Sequence, residues 1–254
     1  MELPDGVALE NMKSLQELVG VHPTLHVMTE IGKLKELKVL ELVIKEESEL
    51  IPTCLQMLPS LLQVLMLKNP YYYSLDFMAH VPPGLRTIMC SHFETFPKWI
   101  DPSLSCLTVL SIMLYGVHVQ LEHLDKLAEL PSLRFLRIFV PAARDEQEKL
   151  IIHSSRSSFP CLTDLQIGSC IMFLKFQPGA MQKLQKLCLD FNASWTNSHF
   201  RTYNFDYGFE KLPSLQHVFI RLSRGATFRC FAAEDAIRRT LDDHPNHPLL
   251  DISP

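Results

Sequence analysis

The stretch Leu130-Pro-Ser-Leu-Arg-Phe-Leu-Arg-Ile138 decides the fold, because its spacing recurs along the whole chain. The template is an apolar residue, two variable residues, Leu, two variable residues, Leu, one variable residue and a final apolar residue. Aligned cores are Leu37-Lys-Val-Leu-Glu-Leu42, Leu62-Gln-Val-Leu-Met-Leu67, Leu85-Arg-Thr-Ile-Met-Cys90, Leu107-Thr-Val-Leu-Ser-Ile112, Leu133-Arg-Phe-Leu-Arg-Ile138, Leu162-Thr-Asp-Leu-Gln-Ile167, Leu184-Gln-Lys-Leu-Cys-Leu189 and Leu215-Gln-His-Val-Phe-Ile220. A weaker copy, Leu15-Gln-Glu-Leu18, precedes them. A repeat of this kind dictates architecture before any single residue is weighed.

Within one copy, Leu136 and Ile138 stand two apart, so in a strand they point to one side while Phe135, Arg137 and Phe139 point to the other. One unit cannot bury its leucines alone. Stacking the next unit alongside buries both rows and pairs the strands in parallel. The core leucines at 15, 37, 62, 85, 107, 133, 162, 184 and 215 stand 22, 25, 23, 22, 26, 29, 22 and 31 residues apart. All but the longest step fall in the range of leucine-rich repeats. The expected fold is an α/β leucine-rich-repeat solenoid: an irregular horseshoe with a parallel sheet on its concave face. Irregularity follows because the Asn usual at the ninth template position is mostly missing; Asn192 fits it, and Cys170 fits its Cys variant.

Proline announces many repeats, as in Met57-Leu-Pro-Ser60 and Lys211-Leu-Pro-Ser214. It pre-sets φ and lacks an N–H, which suits the turn entering a strand. The long steps locate insertions. One holds Arg144-Asp-Glu-Gln-Glu-Lys149 and Ser154-Ser-Arg-Ser-Ser158, expected as a polar surface loop. The other holds Trp195-Thr-Asn-Ser-His199 and Tyr203-Asn-Phe-Asp-Tyr207, expected to pack against the repeats. Ala232-Ala-Glu-Asp-Ala-Ile-Arg-Arg-Thr-Leu241 reads as a capping helix with early acids and late arginines, complementing the helix dipole. His244-Pro-Asn-His-Pro248 stops it, and Leu249-Leu-Asp-Ile252 suits a last edge strand. The expectation is one domain over 1–254, with repeats over about 3–222 and a cap over about 223–254. Leu3-Pro-Asp-Gly-Val7 reads as the tail of an earlier repeat, so upstream repeats or domains are expected to be missing.

Composition narrows the function classes. The chain has 254 residues, 47% hydrophobic and 20% charged, with a net charge of −4. Mild acidity gives no whole-chain reason to expect nucleic acid. The start carries no secretory signal, and no apolar run is long enough to span a membrane. A cytoplasmic location is expected. The seven cysteines, at 54, 90, 106, 161, 170, 188 and 230, contain no CxxC pair. They read as small reduced hydrophobes rather than zinc ligands or disulfides. No G-x-S-x-G elbow or H-E-x-x-H occurs, and the scattered serines and histidines show no catalytic spacing. His244 and His247 read as a helix terminator. Asn192-Ala-Ser194 matches a glycosylation sequon but is discounted, since Asn192 fits the repeat. No enzyme, cofactor or small-molecule substrate is expected.

The sequence resembles the leucine-rich-repeat region of plant nucleotide-binding disease resistance proteins of the cereal, coiled-coil type. The resemblance is carried by Leu3-Pro-Asp-Gly-Val7 with Leu15-Gln-Glu-Leu18, Ile31-Gly-Lys-Leu-Lys-Glu-Leu-Lys-Val-Leu40, Phe96-Pro-Lys-Trp-Ile100 and Phe176-Gln-Pro-Gly-Ala-Met-Gln-Lys-Leu-Gln-Lys-Leu187. It extends to the tail, Gly225-Ala-Thr, Ala232-Ala-Glu-Asp-Ala-Ile-Arg-Arg239 and His244-Pro-Asn-His-Pro248. It implies recognition of a pathogen effector, a guarded host protein, or a nucleotide-binding domain held inactive in cis or in trans. No GxxxxGK[ST] loop is present, so no nucleotide-binding domain is expected within these residues. The alternatives are the repeat subunit of an F-box-type ubiquitin ligase and a constitutive interaction scaffold.

The candidate surface follows from the register. Outward positions of the early and middle repeats are apolar, and those of the later repeats turn polar. Val64, Met66, Met89, Val109, Met113, Phe135, Arg137 and Phe139 are expected to form a partner-binding patch on the concave face. Ser91 is expected in the row that holds Val43, Lys68 and Met113. Tyr71-Tyr-Tyr73 suits either a contact point or packing, and Arg221, Arg224, Arg229, Arg238 and Arg239 read as solvated charge.

Overall fold

The computed structural model describes residues 9–45, 51–68, 81–93, 96–114, 121–140, 150–152, 159–200, 204–222 and 228–253. Tyr71–Tyr73, Arg144–Lys149, Ser154–Ser158, Tyr203, Arg224 and the segment Leu3–Val7 lie outside them. The chain forms two compact units, Met1–Tyr115 and Gly116–Pro254.

The first unit runs β1 (Glu17–Val21), α1 (Leu25–Gly32), β2 (Val39–Val43), α2 (Ile51–Gln56), β3 (Val64–Lys68), β4 (Thr87–Phe93) and β5 (Val109–Leu114). Its strands pair in that order, all parallel. The second unit runs α3 (Leu121–Ala128), β6 (Phe135–Val140), β7 (Leu150–Ile152), β8 (Asp164–Ser169), β9 (Leu174–Phe176), β10 (Lys186–Phe191), α4 (Ala193–His199), β11 (His217–Leu222), α5 (Phe228–Asp242) and β12 (Leu249–Ser253). Here β6, β8, β10, β11 and β12 form the parallel ladder, and β7 pairs with β9 alone.

Every copy of the template becomes a strand that starts two residues after its first core leucine. The reason lies in the backbone. The N–H of Leu62 donates to the carbonyl of Pro59 at 3.1 Å, closing the turn. The next two N–H groups, of Gln63 and Val64, then both donate to the Lys38 carbonyl of the preceding repeat at 2.9 Å. The same device recurs at Thr163 and Asp164 on Arg134, and at Gln216 and His217 on Gln185. Proline fits the turn because its missing N–H is not needed there. Leu40, Leu42, Leu65, Leu67, Leu110, Leu136, Leu165, Leu187 and Leu189 are all buried. Each contributes roughly 1.5–3 kcal/mol from water exclusion.

Two strands depart from the template. On β1, the step from Leu18 to Val21 faces the shorter step from Leu40 to Leu42. Gly20 takes φ 76° there, so one extra residue is accommodated as a bulge. On β4, the step from Cys90 to Phe93 faces that from Ile112 to Leu114. Ser91 therefore belongs to an extra-residue bulge, a correction to its expected place in the outward row. Phe93 takes the inward position and is buried.

The second insertion packs as expected, with one exception. Phe205 and Tyr207 are buried, their rings 6.1 Å from that of Phe191, and Tyr207 stacks on Phe209 at 5.1 Å. Trp195 instead remains 55% exposed, because α4 turns it away from the core. Asn192 is buried, and its side-chain oxygen accepts from the Trp195 N–H at 3.0 Å to cap α4. A capping amide in that position has no freedom to carry a glycan.

Gly208 sits between this insertion and β9. It has φ 73°, and a methyl group there would lie 2.4 Å from the Phe176 carbonyl oxygen. Its N–H donates to Asp206 at 3.1 Å, and Asp206 also receives Lys175 at 2.6 Å. Lys175 above all holds the Asp206 carboxyl below its ordinary range, helped by the Gly208 N–H. A carboxylate lowered on folding adds stability above its unfolded value and loses it as pH falls through the folded one. The expected outcome is that Asp206→Asn flattens the acid limb of stability below about pH 4. Urea midpoints across that range check it; parallel wild-type and variant curves would contradict the link.

The cap also forms. Helix α5 begins four residues before the expected Ala232 and ends at Asp242. His244 is buried behind it. Its Nδ1 accepts from the Asn246 N–H at 3.1 Å, which assigns the proton to Nε2, 3.2 Å from the Leu212 carbonyl. The Asn246 amide donates to Pro213 at 2.5 Å. His244 is thus a structural staple between the cap and the turn before β11. Strand β12 then pairs with β11 as the expected last edge strand. No helix among the described residues is long and apolar enough to cross a membrane.

Candidate functional site

The buried rows consume the inward positions, and the candidate residues lie on the opposite side of the strands. In the first unit, the register aligns Val39, Val64, Thr87 and Val109 in one outward row. Glu41, Met66, Met89 and Ser111 form the next. Val64, Met66, Val109 and Met113 are half-buried, and Met89 is 40% exposed. Strand neighbours about 4.8 Å apart cover one another's flanks, so an outward apolar side chain shows only its tip. Glu41 breaks the apolar character of this face. It is buried, and Lys68 reaches it at 2.9 Å. The pair sits where burial leaves the acid dependent on its partner.

In the second unit, the rows are Phe135, Asp164, Lys186, His217 and Leu249; Arg137, Gln166, Cys188, Phe219 and Asp251; and Phe139, Gly168, Asp190, Arg221 and Ser253. Phe135 and Phe139 are half-buried, and Arg137 is exposed between them. Gly168 makes room for Phe139: a methyl group there would meet the ring at 2.2 Å. The glycine lets the phenyl lean flat across the neighbouring strand, which explains how a large apolar side chain on an outward position is only half exposed.

The expected polar character of the later repeats holds only in part. Phe219 is 38% exposed and stacks near His217, with ring centroids 6.2 Å apart. Leu249, on the edge strand, is 65% exposed. Sequence reasoning passed over Leu249 because β12 lacks the full template. Charged neighbours are partly matched, since Lys186 approaches Asp164 at 3.9 Å.

Chemistry on these faces is limited. Burial raises the Cys188 thiol, against the lowering influence of Arg221 and Arg137. Burial pushes Cys90 up to about 12. Both are inert at neutral pH, because the thiolate is the reactive form. Cys106 is a free cysteine and is exposed. The side chains of Cys54, Arg229 and Cys230 lie outside the described ones. Among the described residues, no three His, Cys, Asp or Glu side chains gather as a metal site.

Comparison with known proteins agrees with this geometry. Disease resistance protein RGA5 of Oryza sativa subsp. japonica is 32% identical over 126 residues, which is 48% of this chain and 11% of that protein. The match therefore spans about one tenth of the length of that curated relative. The leucine-rich repeat region family matches residues 1–250, nearly end to end. With parallel strands set by the same leucine spacing throughout, the chain belongs to the leucine-rich repeat region family.

Proposed function

We propose that this chain is the protein-binding repeat module of a disease-resistance-type immune protein, acting in the cytoplasm in effector recognition or in an autoinhibitory contact. The observation that carries the reading is the outward side of the strands. Each unit spends its leucines inward and keeps large apolar side chains, Met66 and Met89 in one and Phe135 and Phe139 in the other, partly open to solvent. Such surfaces commonly meet other proteins, and methionine adapts to irregular partners. The likeness to a rice disease resistance protein directs the reading toward defence. The role is binding without catalysis, with no cofactor, nucleic acid or small-molecule substrate.

The test is to change Phe135 and Phe139 together to Glu. Both side chains are half-buried on an outward row, so the fold is expected to survive with a melting temperature close to wild type. Affinity capture from pathogen-challenged plant tissue is expected to lose at least one protein that the wild type retains reproducibly. An unchanged set of captured proteins, with the fold intact, overturns the proposed surface.

A further inference from the structure

Charge on the outward face of the second unit is unevenly satisfied. Of the Lys and Arg side chains on these outward rows, Lys186, Arg137 and Arg221, only Lys186 has an ion-pair partner among the described residues, Asp164 at 3.9 Å. Arg137 has no hydrogen bond or ion pair among the described residues, although it lies in the middle of β6. Its neighbour in register is the uncharged Gln166. The next acid by position is Asp164, already engaged by the Thr163 hydroxyl at 2.7 Å and by Lys186. Arg221, exposed on β11, likewise forms no ion pair with Asp190 opposite it. Two guanidiniums thus stand on one face, each beside apolar surface: Arg137 between Phe135 and Phe139, and Arg221 two residues from Phe219.

From this placement we infer that the outward face of the second unit accepts a linear acidic segment of a partner protein, with a carboxylate on Arg137 and an apolar side chain against Phe219. The inference rests on the proposed protein-binding role and names the chemistry of the partner. A guanidinium pairs with a carboxylate through two parallel hydrogen bonds, and the flanking phenyl rings exclude water from that pair. Gln166 lies beside Arg137 to donate to a second lone pair of one of those carboxylate oxygens. Three strand spacings separate Arg137 from Phe219 along their row, about 14 Å. An extended chain covers that distance in about four residues. The bound segment therefore carries Asp or Glu about four positions from an apolar residue. Arg221 stands past Phe219 and offers a second site for acid.

The experiment pans random linear peptides against the full chain. Enriched sequences are expected to share the acid and the apolar residue at that spacing. Arg137→Glu is expected to weaken them at least about tenfold, with unchanged melting, and Lys in place of the peptide acid restores binding to that variant. Peptides that lack an acid yet lose binding in the Phe135→Glu, Phe139→Glu chain overturn the acidic inference and leave the protein-binding surface standing. Peptides indifferent to every outward substitution overturn both. Enrichment of none overturns the inference alone, because it requires a linear segment, while tissue capture still tests the surface.

Discussion

Replacing Gly208 with alanine is expected to cost about 2–4 kcal/mol of folding stability, among the largest effects of any one-carbon change in the chain. Two penalties combine. The left-handed φ of 73° disfavours any side chain by roughly 1 kcal/mol. The added methyl also meets the Phe176 carbonyl oxygen at 2.4 Å, and that atom is backbone, so it cannot swing aside as a side chain would. Relief requires β9 or the 204–208 segment to shift. Either movement lengthens the 2.7 Å bond from the Phe176 N–H to the Tyr207 carbonyl. Urea unfolding of the full chain reads the loss. A change under about 0.5 kcal/mol would show that the close approach is not structural. Gly168→Ala provides the contrast: it crowds the Phe139 ring, which can rotate, so its cost is expected to be smaller.

The second large effect is expected at Phe191. Its ring is buried and lies 6.1 Å from both Phe205 and Tyr207. Truncation to alanine removes the anchor that joins β10 to the inserted aromatic segment. Such a deletion costs about 3–5 kcal/mol when the surroundings relax little. Phe191→Leu retains most of the volume and is expected to cost less than half as much. Near-ultraviolet circular dichroism tests the mechanism as well as the magnitude. Loss of the aromatic signal from Tyr207 in the alanine variant, before global unfolding, identifies local release of the insertion. A full signal up to the main transition would show that Phe205 and Tyr207 hold without it.

Much of this architecture is readable from spacing alone. The strand starts at Val39, Val64, Thr87, Val109, Asp164, Lys186 and His217 all follow from one rule, because the two N–H groups after each core leucine are committed to one carbonyl of the preceding repeat. The cap was equally legible, through a helix with a dipole-matched charge order and a His-Pro stop. The missed features share a different origin. Leu150–Ile152 pairs with Leu174–Phe176, a contact between separate segments that no local pattern announces. The bulge on β4 is invisible beforehand, since Cys90, Ser91, His92 and Phe93 continue a plausible alternation. On β1 a cue existed in Gly20 between two valines, the position where an extra residue can take positive φ. Parity alone tells inward from outward at most positions, but Ser91 falls in the bulge and Glu41 and Gly168 are buried on the outward rows. Degree of exposure is not legible in this way, because it depends on what leans across from the neighbouring strand, as Phe139 does over Gly168.

The two bulges carry a consequence for how such a chain can vary. Each adds one residue to a strand, yet the next strand begins in register, because Val39 and Val109 take their positions from their own leucine turns. An insertion is therefore quarantined within the repeat where it happens. Length can drift on the exposed side of a single strand without a frameshift in the packing of its successors. A surface so built is free to diversify one rung at a time, while the leucine ladder behind it stays under a constant, purely local constraint.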